Sequence, residues 1–238
     1  MDRIDKILVD LVMLKTRSQA KMLIGQGCVY HNGVQVTKAG LKVSSEDTFE
    51  IKETNIFVSR GAYKLEKAIA EFGLNLGGKV IADVGASTGG FTQVALEAKA
   101  TKVYAIDVGH DQLSSIFIDD PRVINLEGTN IKFPLQLEEK VDLCVVDLSF
   151  ISLKLVYKNI DALLKEDGKS IVLIKPQFEA GRERLGKQGL VAEKDLPIIL
   201  EEVRNWFEES GFLISKIMES PLKGNKSGNI EYLALIEK

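Results

Sequence analysis

The stretch that most narrows the possible folds runs from Lys79 to Thr92, K-V-I-A-D-V-G-A-S-T-G-G-F-T. Its strand-type residues Val80, Ile81, Ala82 and Val84 break at Gly85, and the small residues Ser87, Gly89 and Gly90 let a backbone come close to a ligand before a helix begins. A strand, a small-residue loop and a helix in that order open a nucleotide-binding α/β domain. Ser87 stands at the second glycine position of G-x-G-x-x-G, so the dinucleotide pattern is not met. Asp83, two residues before Gly85, would repel a pyrophosphate and suits a cationic or hydroxylated ligand.

Apolar periodicity over the surrounding chain predicts helix over 61–72, strand 79–84, helix 90–98, strand 102–107, helix 111–118 and strand 122–127. Strand 141–147, helix 153–164, strand 170–174, a long loop, helix 194–209 and strands 212–219 and 230–236 follow. This alternation implies a mostly parallel sheet with helices on both faces and ligands at the carboxyl ends of its strands. Asp107 would end the second strand, about twenty residues past the glycine loop, where a carboxylate can accept ribose hydroxyls. Asp147 ends V-D-L-C-V-V-D and Lys175 ends S-I-V-L-I-K, at the same ligand edge. A lysine after four apolar residues is costly to bury unpaired and calls for an acid. Glu231 lies early in the last strand and reaches that edge if the strand is antiparallel and beside the fifth.

Residues 1–54 read as a separate small module, with 55–60 a short ordered join and 61–238 the larger α/β domain. Ile4, Ile7, Leu8 and Leu11 form a helical stripe. Thr16 and Gln19 cap a second helix that Gly25 and Gly27 stop, and Asn32-Gly33 supplies a type I′ hairpin turn. Five cations in residues 1–24 face three acids.

R-I-D-x-x-L, T-R-S-Q-A-x-x-L-I-x-x-G-x-V-x-x-N-G and V-x-x-x-D resemble the S4 RNA-binding domain. The resemblance implies that Arg3, Arg17, Ser18 and Lys21 meet RNA phosphates. S-R-G-A-Y-K-L-E, D-V-G-A-S-T-G-G-F-T, D-L-S-F-I-S-L, K-P-Q-F-E-A-G-R and G-N-I-E-Y together resemble the TlyA family over essentially the whole chain. That family joins an S4 domain to an FtsJ-like ribosomal RNA methyltransferase domain and also bears the name hemolysin. The resemblance implies a Rossmann-like sheet that binds S-adenosylmethionine (SAM), with Asp83, Gly85, Ser87, Thr88, Gly89, Gly90, Phe91 and Asp107 at the cofactor. It also implies Arg60 at the RNA and a ribose 2′-O-methylating tetrad of Lys64, Asp147, Lys175 and Glu231, with no metal. Lys175 would either accept the hydroxyl proton or stay charged and stabilise the forming alkoxide. Family members act on cytidines of large-subunit RNA, and a longer-armed subgroup also on small-subunit RNA. The two residues before Arg3 point to the shorter subgroup.

Composition decides little except by exclusion. The net charge of −3 means that RNA must be held by local patches. No apolar run reaches the 18 or so residues of a membrane span, and M-D-R-I-D is not a signal peptide, so the expected compartment is the cytoplasm, while the resemblance implies ribosomal RNA and ribosomal subunits as partners. Two cysteines, Cys28 and Cys144, suit buried thiols better than a disulfide. The competing readings are a non-catalytic S4-type RNA-binding factor, a secreted pore-former and a nicotinamide-dependent oxidoreductase. Ser87 and Asp83 argue against the last.

Overall fold

The computed structural model describes residues 1–14, 16–25, 27–52, 57–224 and 228–238, and only the backbone of Ser18 and Met22. It forms two compact units, Met1–Phe57 and Val58–Lys238. The expected boundary at 54 falls among residues outside this description.

The first unit contains β1 (Asp2–Arg3), α1 (Ile4–Asp10), α2 (Arg17–Gly25), β2 (Val29–His31), β3 (Val34–Gln35), β4 (Lys42–Val43) and β5 (Phe49–Ile51). Ile4, Ile7 and Leu8 of α1 pack with Leu23 and Ile24 of α2 and with Val29, Val36 and Val43, which gives this small unit its own core. The Thr16 hydroxyl accepts the Gln19 amide at 3.1 Å, capping α2. Asn32 (φ 48°) and Gly33 (φ 77°) turn β2 into β3 with His31 opposite Val34, as the Asn-Gly pair predicts. Cys28 is buried one residue ahead of β2, and Cys144 is buried in the second unit.

The second unit contains α3 (Ala62–Phe72), β6 (Val80–Val84), α4 (Gly90–Glu97), β7 (Lys102–Ile106), β8 (Val123–Leu126), β9 (Val141–Val146), α5 (Tyr157–Asp161), β10 (Leu164–Ile174), α6 (Pro176–Glu179), α7 (Leu196–Glu209), β11 (Leu213–Glu219) and β12 (Tyr232–Glu237). Its sheet has the order β11-β12-β10-β9-β6-β7-β8. The five strands from β10 to β8 are parallel, and β12 lies antiparallel between β10 and β11. The central strands read as near-continuous apolar runs because helices cover both faces of a parallel sheet. On one face Ala82, Cys144, Val172 and Ala234 pack against Tyr157, Ile160, Val203 and Phe207.

Four expected elements differ. The helix over 111–118 is only a 3₁₀ turn at Ser115–Phe117, because Asp111 sits at φ 53° and the next amides bond to a side chain instead of to helical carbonyls. The helix over 153–164 shrinks to a 3₁₀ turn, Leu153–Leu155, and the short α5, since Val156 at φ −127° breaks it. β10 starts six residues before the expected strand, with a register shift between Leu164 and Lys169. Glu231 stands just ahead of β12, not inside it.

Candidate active site

Strand register brings the strand-end residues together. Val84 of β6 pairs with Val146 of β9, Val146 with Val172 of β10, and Ile174 with Tyr232 of β12. The residues that follow or precede these pairs, Gly85, Asp147, Lys175 and Glu231, therefore emerge at one edge. Gly85 (φ 89°) is obligatory there, because a Cβ would collide with the Asp147 carbonyl oxygen.

Lys64 reaches the same place from α3. It lies on the stripe that also carries Ala68 and Phe72, so the helix face that makes the core buries the lysine too. A buried ammonium must be paired, and Lys64 Nζ lies 2.6 Å from Glu231 Oε2 and 3.7 Å from Asp147 Oδ2. Lys175, at the N-cap of α6, is 2.6 Å from Asp147 Oδ1 and donates to Ser149 Oγ at 2.9 Å. Asp147 thus holds one lysine with each oxygen. Lys64, Lys175 and Glu231 are all less than a tenth exposed, and two cations are balanced by two anions.

All four line a cleft of about 830 Å³, together with Gly85, Ser87, Thr88, Gly90 and Phe91 of the glycine loop. Gly89 completes this loop at φ 90° as the N-cap of α4. Asp107 borders the loop: its Oδ2 accepts the Ser87 amide at 2.7 Å and its Oδ1 the Gly109 amide at 2.8 Å, while each oxygen keeps a second lone pair. Arg60 and Lys223 add cations to the lining.

Asp83 departs from its expected role. It is fully buried, and its Oδ2 accepts the Thr92 hydroxyl at 2.7 Å, so it ties the end of β6 to α4 instead of facing the cleft. Burial pushes its carboxyl up to about 7, against the Thr92 hydrogen bonds.

Several cleft residues carried no expectation from the sequence. Phe150 is 84% exposed at φ 65°, and its ring lies 5.3 Å from that of Phe178, also in the lining. Glu179 pins the loop that holds Ser149 and Phe150: its carboxylate accepts from Ser152 Oγ at 2.6 Å and the Leu153 amide at 2.9 Å. Burial raises its pKa despite these bonds. Phe150 stands in the same D-L-S-F as Asp147, and Phe178 and Glu179 in the same K-P-Q-F-E as Lys175.

In the first unit Asp5 is fully buried beneath two arginines. Arg3 donates to it through Nε at 3.0 Å and Nη2 at 3.2 Å, and Arg17 through Nη2 at 3.1 Å. Arg3 first, then Arg17, hold the Asp5 carboxyl below its usual range against the effect of burial. Both guanidiniums stay about half exposed, and Lys21 is exposed one turn beyond Arg17. The Ser18 side chain lies outside the described residues.

Comparison with known proteins gives a consistent result. The FtsJ-like methyltransferase family model matches residues 57–238, and the S4 domain model residues 2–49. A Mycobacterium tuberculosis protein named 16S/23S rRNA (cytidine-2′-O)-methyltransferase TlyA is 39% identical over 236 residues, 97% of this chain and 87% of that protein. Hemolysin A of Brachyspira hyodysenteriae is 39% identical over 236 residues, 98% of each chain. A solved Streptococcus thermophilus structure that carries the hemolysin name superposes with a TM-score of 0.77 at 38% identity, covering all of this chain and 88% of that one.

Proposed function

We propose a function from one premise: the chain belongs to the FtsJ-like methyltransferase family and joins that domain to an S4 domain. The reaction is transfer of a methyl group from SAM to the ribose 2′-hydroxyl of a cytidine in ribosomal RNA. Large-subunit RNA is the first substrate, and the compartment is the cytoplasm, where the subunits are. One observation carries this reading: a buried network of two lysines and two carboxylates lines the same cleft as the glycine loop.

The cofactor half fits SAM. The loop turns tightly at Gly85 and Gly89, where a Cβ would strike Asp147 and Phe117, Gly85 lines the cleft, and Asp107 offers carboxylate lone pairs beside the loop for ribose hydroxyls. Gly85, Ser87, Thr88, Gly90 and Phe91 form the wall of this half. When bound, SAM supplies a methyl group on a cationic sulfur.

The other half supplies the acceptor. A ribose hydroxyl at Lys175 Nζ meets an ammonium whose direction is fixed by Asp147 and Ser149. When neutral, that group can accept the hydroxyl proton; kept charged, it can instead donate to the developing oxyanion while the proton passes to water. Lys64, held by Glu231 and Asp147, adds a second fixed cation to the same lining, so developing negative charge on the oxygen is stabilised without rearrangement. Phe150 offers a flat exposed face for stacking the nucleotide's base, and Arg60 and Lys223 are placed for phosphates. The deciding experiment maps 2′-O-methylated riboses in ribosomal RNA incubated with the protein and SAM. A new mark on a cytidine is expected, and none on either subunit's RNA would end this reading.

In the first unit, Arg3, Arg17 and Lys21 take phosphates. The buried Asp5 anchors Arg3 and Arg17, so they are already ordered before RNA arrives. Replacing Arg3 and Arg17 together by alanine should make the slope of log affinity against log salt shallower by about 1.5, the sum for two lost phosphate contacts. An unchanged slope would remove them from the interface.

A further inference from the structure

We propose that Glu127 is a positioning residue for the cofactor half of the cleft, acting through the 109–117 loop on the glycine-rich loop. The inference rests on the cofactor reading above. Glu127 follows β8 at the ligand edge, and its carboxylate is held by main-chain amides and the Asn125 side chain instead of by a basic side chain among the described residues. It accepts three consecutive main-chain amides, Asp111 at 2.8 Å on Oε2 and Gln112 and Leu113 at 3.0 and 3.1 Å on Oε1. The Leu113 and Asp111 amides foremost hold its carboxyl below the ordinary range, so it accepts as an anion at neutral pH.

Three successive amides converge on one point because Asp111 lies at φ 53°. A left-handed backbone is strained at a non-glycine residue, and three charge-assisted hydrogen bonds hold it there. The carboxylate is what gathers these three amides to one point.

What the turn holds is the glycine loop. The Ser114 amide donates to the Thr88 carbonyl at 3.2 Å. Leu113 and Phe117 are buried against Gly89, where a Cβ would lie 2.9 Å from one and 2.5 Å from the other. Gln112, whose amide Glu127 grips, places its Oε1 3.3 Å from the Ser87 hydroxyl, which donates to it. Asp107 grips Ser87 from the other side. The loops after β7 and β8 are also joined directly, by Gly128 N–H to Gly109 at 3.0 Å and Thr129 N–H to Asp107 at 2.8 Å. Glu127 therefore fixes the 109–117 loop, and through it the Ser87–Thr88 wall of the cleft beside Asp107. Its contribution falls on cofactor affinity and not on the methyl-transfer step.

The test compares the full chain with Glu127→Gln and Glu127→Asp. Glutamine keeps the shape but turns an amide NH₂ toward at least one of the three N–H groups. Glu127→Gln should weaken SAM binding in calorimetry at least tenfold and raise KM for SAM by a similar factor. The kcat at saturating SAM and the affinity for ribosomal RNA should stay within twofold, a split that general loss of fold stability would not produce. Glu127→Asp, with the charge kept but withdrawn by one methylene, should fall between. SAM affinity of Glu127→Gln within twofold of the parent would overturn the proposal. Failure of the parent chain to bind SAM would instead sink the cofactor reading. Hydrogen exchange at the Asp111, Gln112 and Leu113 amides of the unliganded parent decides the case if the variant does not fold: slow exchange is expected, and exchange at unprotected rates overturns the positioning role.

Discussion

Replacing Lys175 by alanine is expected to lower turnover by about 10²- to 10⁴-fold, the range that a general base or an oxyanion donor supplies. The SAM and RNA affinities should change little, because the ammonium is committed to Asp147 and Ser149 in the resting site and would meet the acceptor hydroxyl chiefly in the transition state. Single-turnover methylation of ribosomal RNA reads this directly. Lys175→Arg divides the two roles: it keeps a cation but cannot shed a proton, so partial activity favours charge stabilisation and none favours the base. Near-normal turnover in Lys175→Ala would remove the tetrad from the mechanism.

The second large effect concerns stability. Glu231 is nearly fully buried and holds a buried lysine at 2.6 Å, so Glu231→Ala strands Lys64 with only the longer contact to Asp147. Breaking a buried pair from one side costs about 3–5 kcal/mol, and the remaining Asp147 contact sets the lower end of that range as the expectation here. Denaturant unfolding should show it as a fall in midpoint. A Lys64→Met, Glu231→Leu double variant should recover most of that stability and remain inactive, because a matched apolar pair removes the stranded charge along with the chemistry. A single variant as stable as the parent would mean that Lys64 finds solvent readily and that the pair is not truly buried.

Period and punctuation made the sheet, its parallel core and the location of the cleft legible. Apolar runs ending at Asp107, Asp147 and Lys175 could only be strands whose last residues share an edge. Local pattern failed where a distant group intervened. The 111–118 segment carries Leu113, Ile116 and Phe117 at plausible helical spacing, yet the Glu127 carboxylate takes the amides that a helix would need. Asp83 shows the opposite failure. Its place before Gly85 marked it as a ligand group, but a strand-end residue can turn inward as easily as outward, and Thr92 supplies the inward partner. The Lys64–Glu231 contact spans 167 positions and was visible only through family resemblance, since no local rule links a helix stripe to a residue so far away.

The antiparallel β12, inserted between β10 and β11, also has a consequence in time. A chain emerges from its amino end, and the glycine loop, Asp147 and Lys175 are all made before Glu231. β10 and β11 cannot complete their sheet until β12 arrives to lie between them. Its arrival brings in Glu231, so Lys64 gains its closest partner only when β12 docks. Sheets closed by such distant pairings assemble slowly, because the loop entropy must be overcome before any contact forms. Until β12 docks, Lys64 has only its 3.7 Å contact with Asp147, so the network of two lysines and two carboxylates is completed by the strand that comes last in the chain order of this sheet.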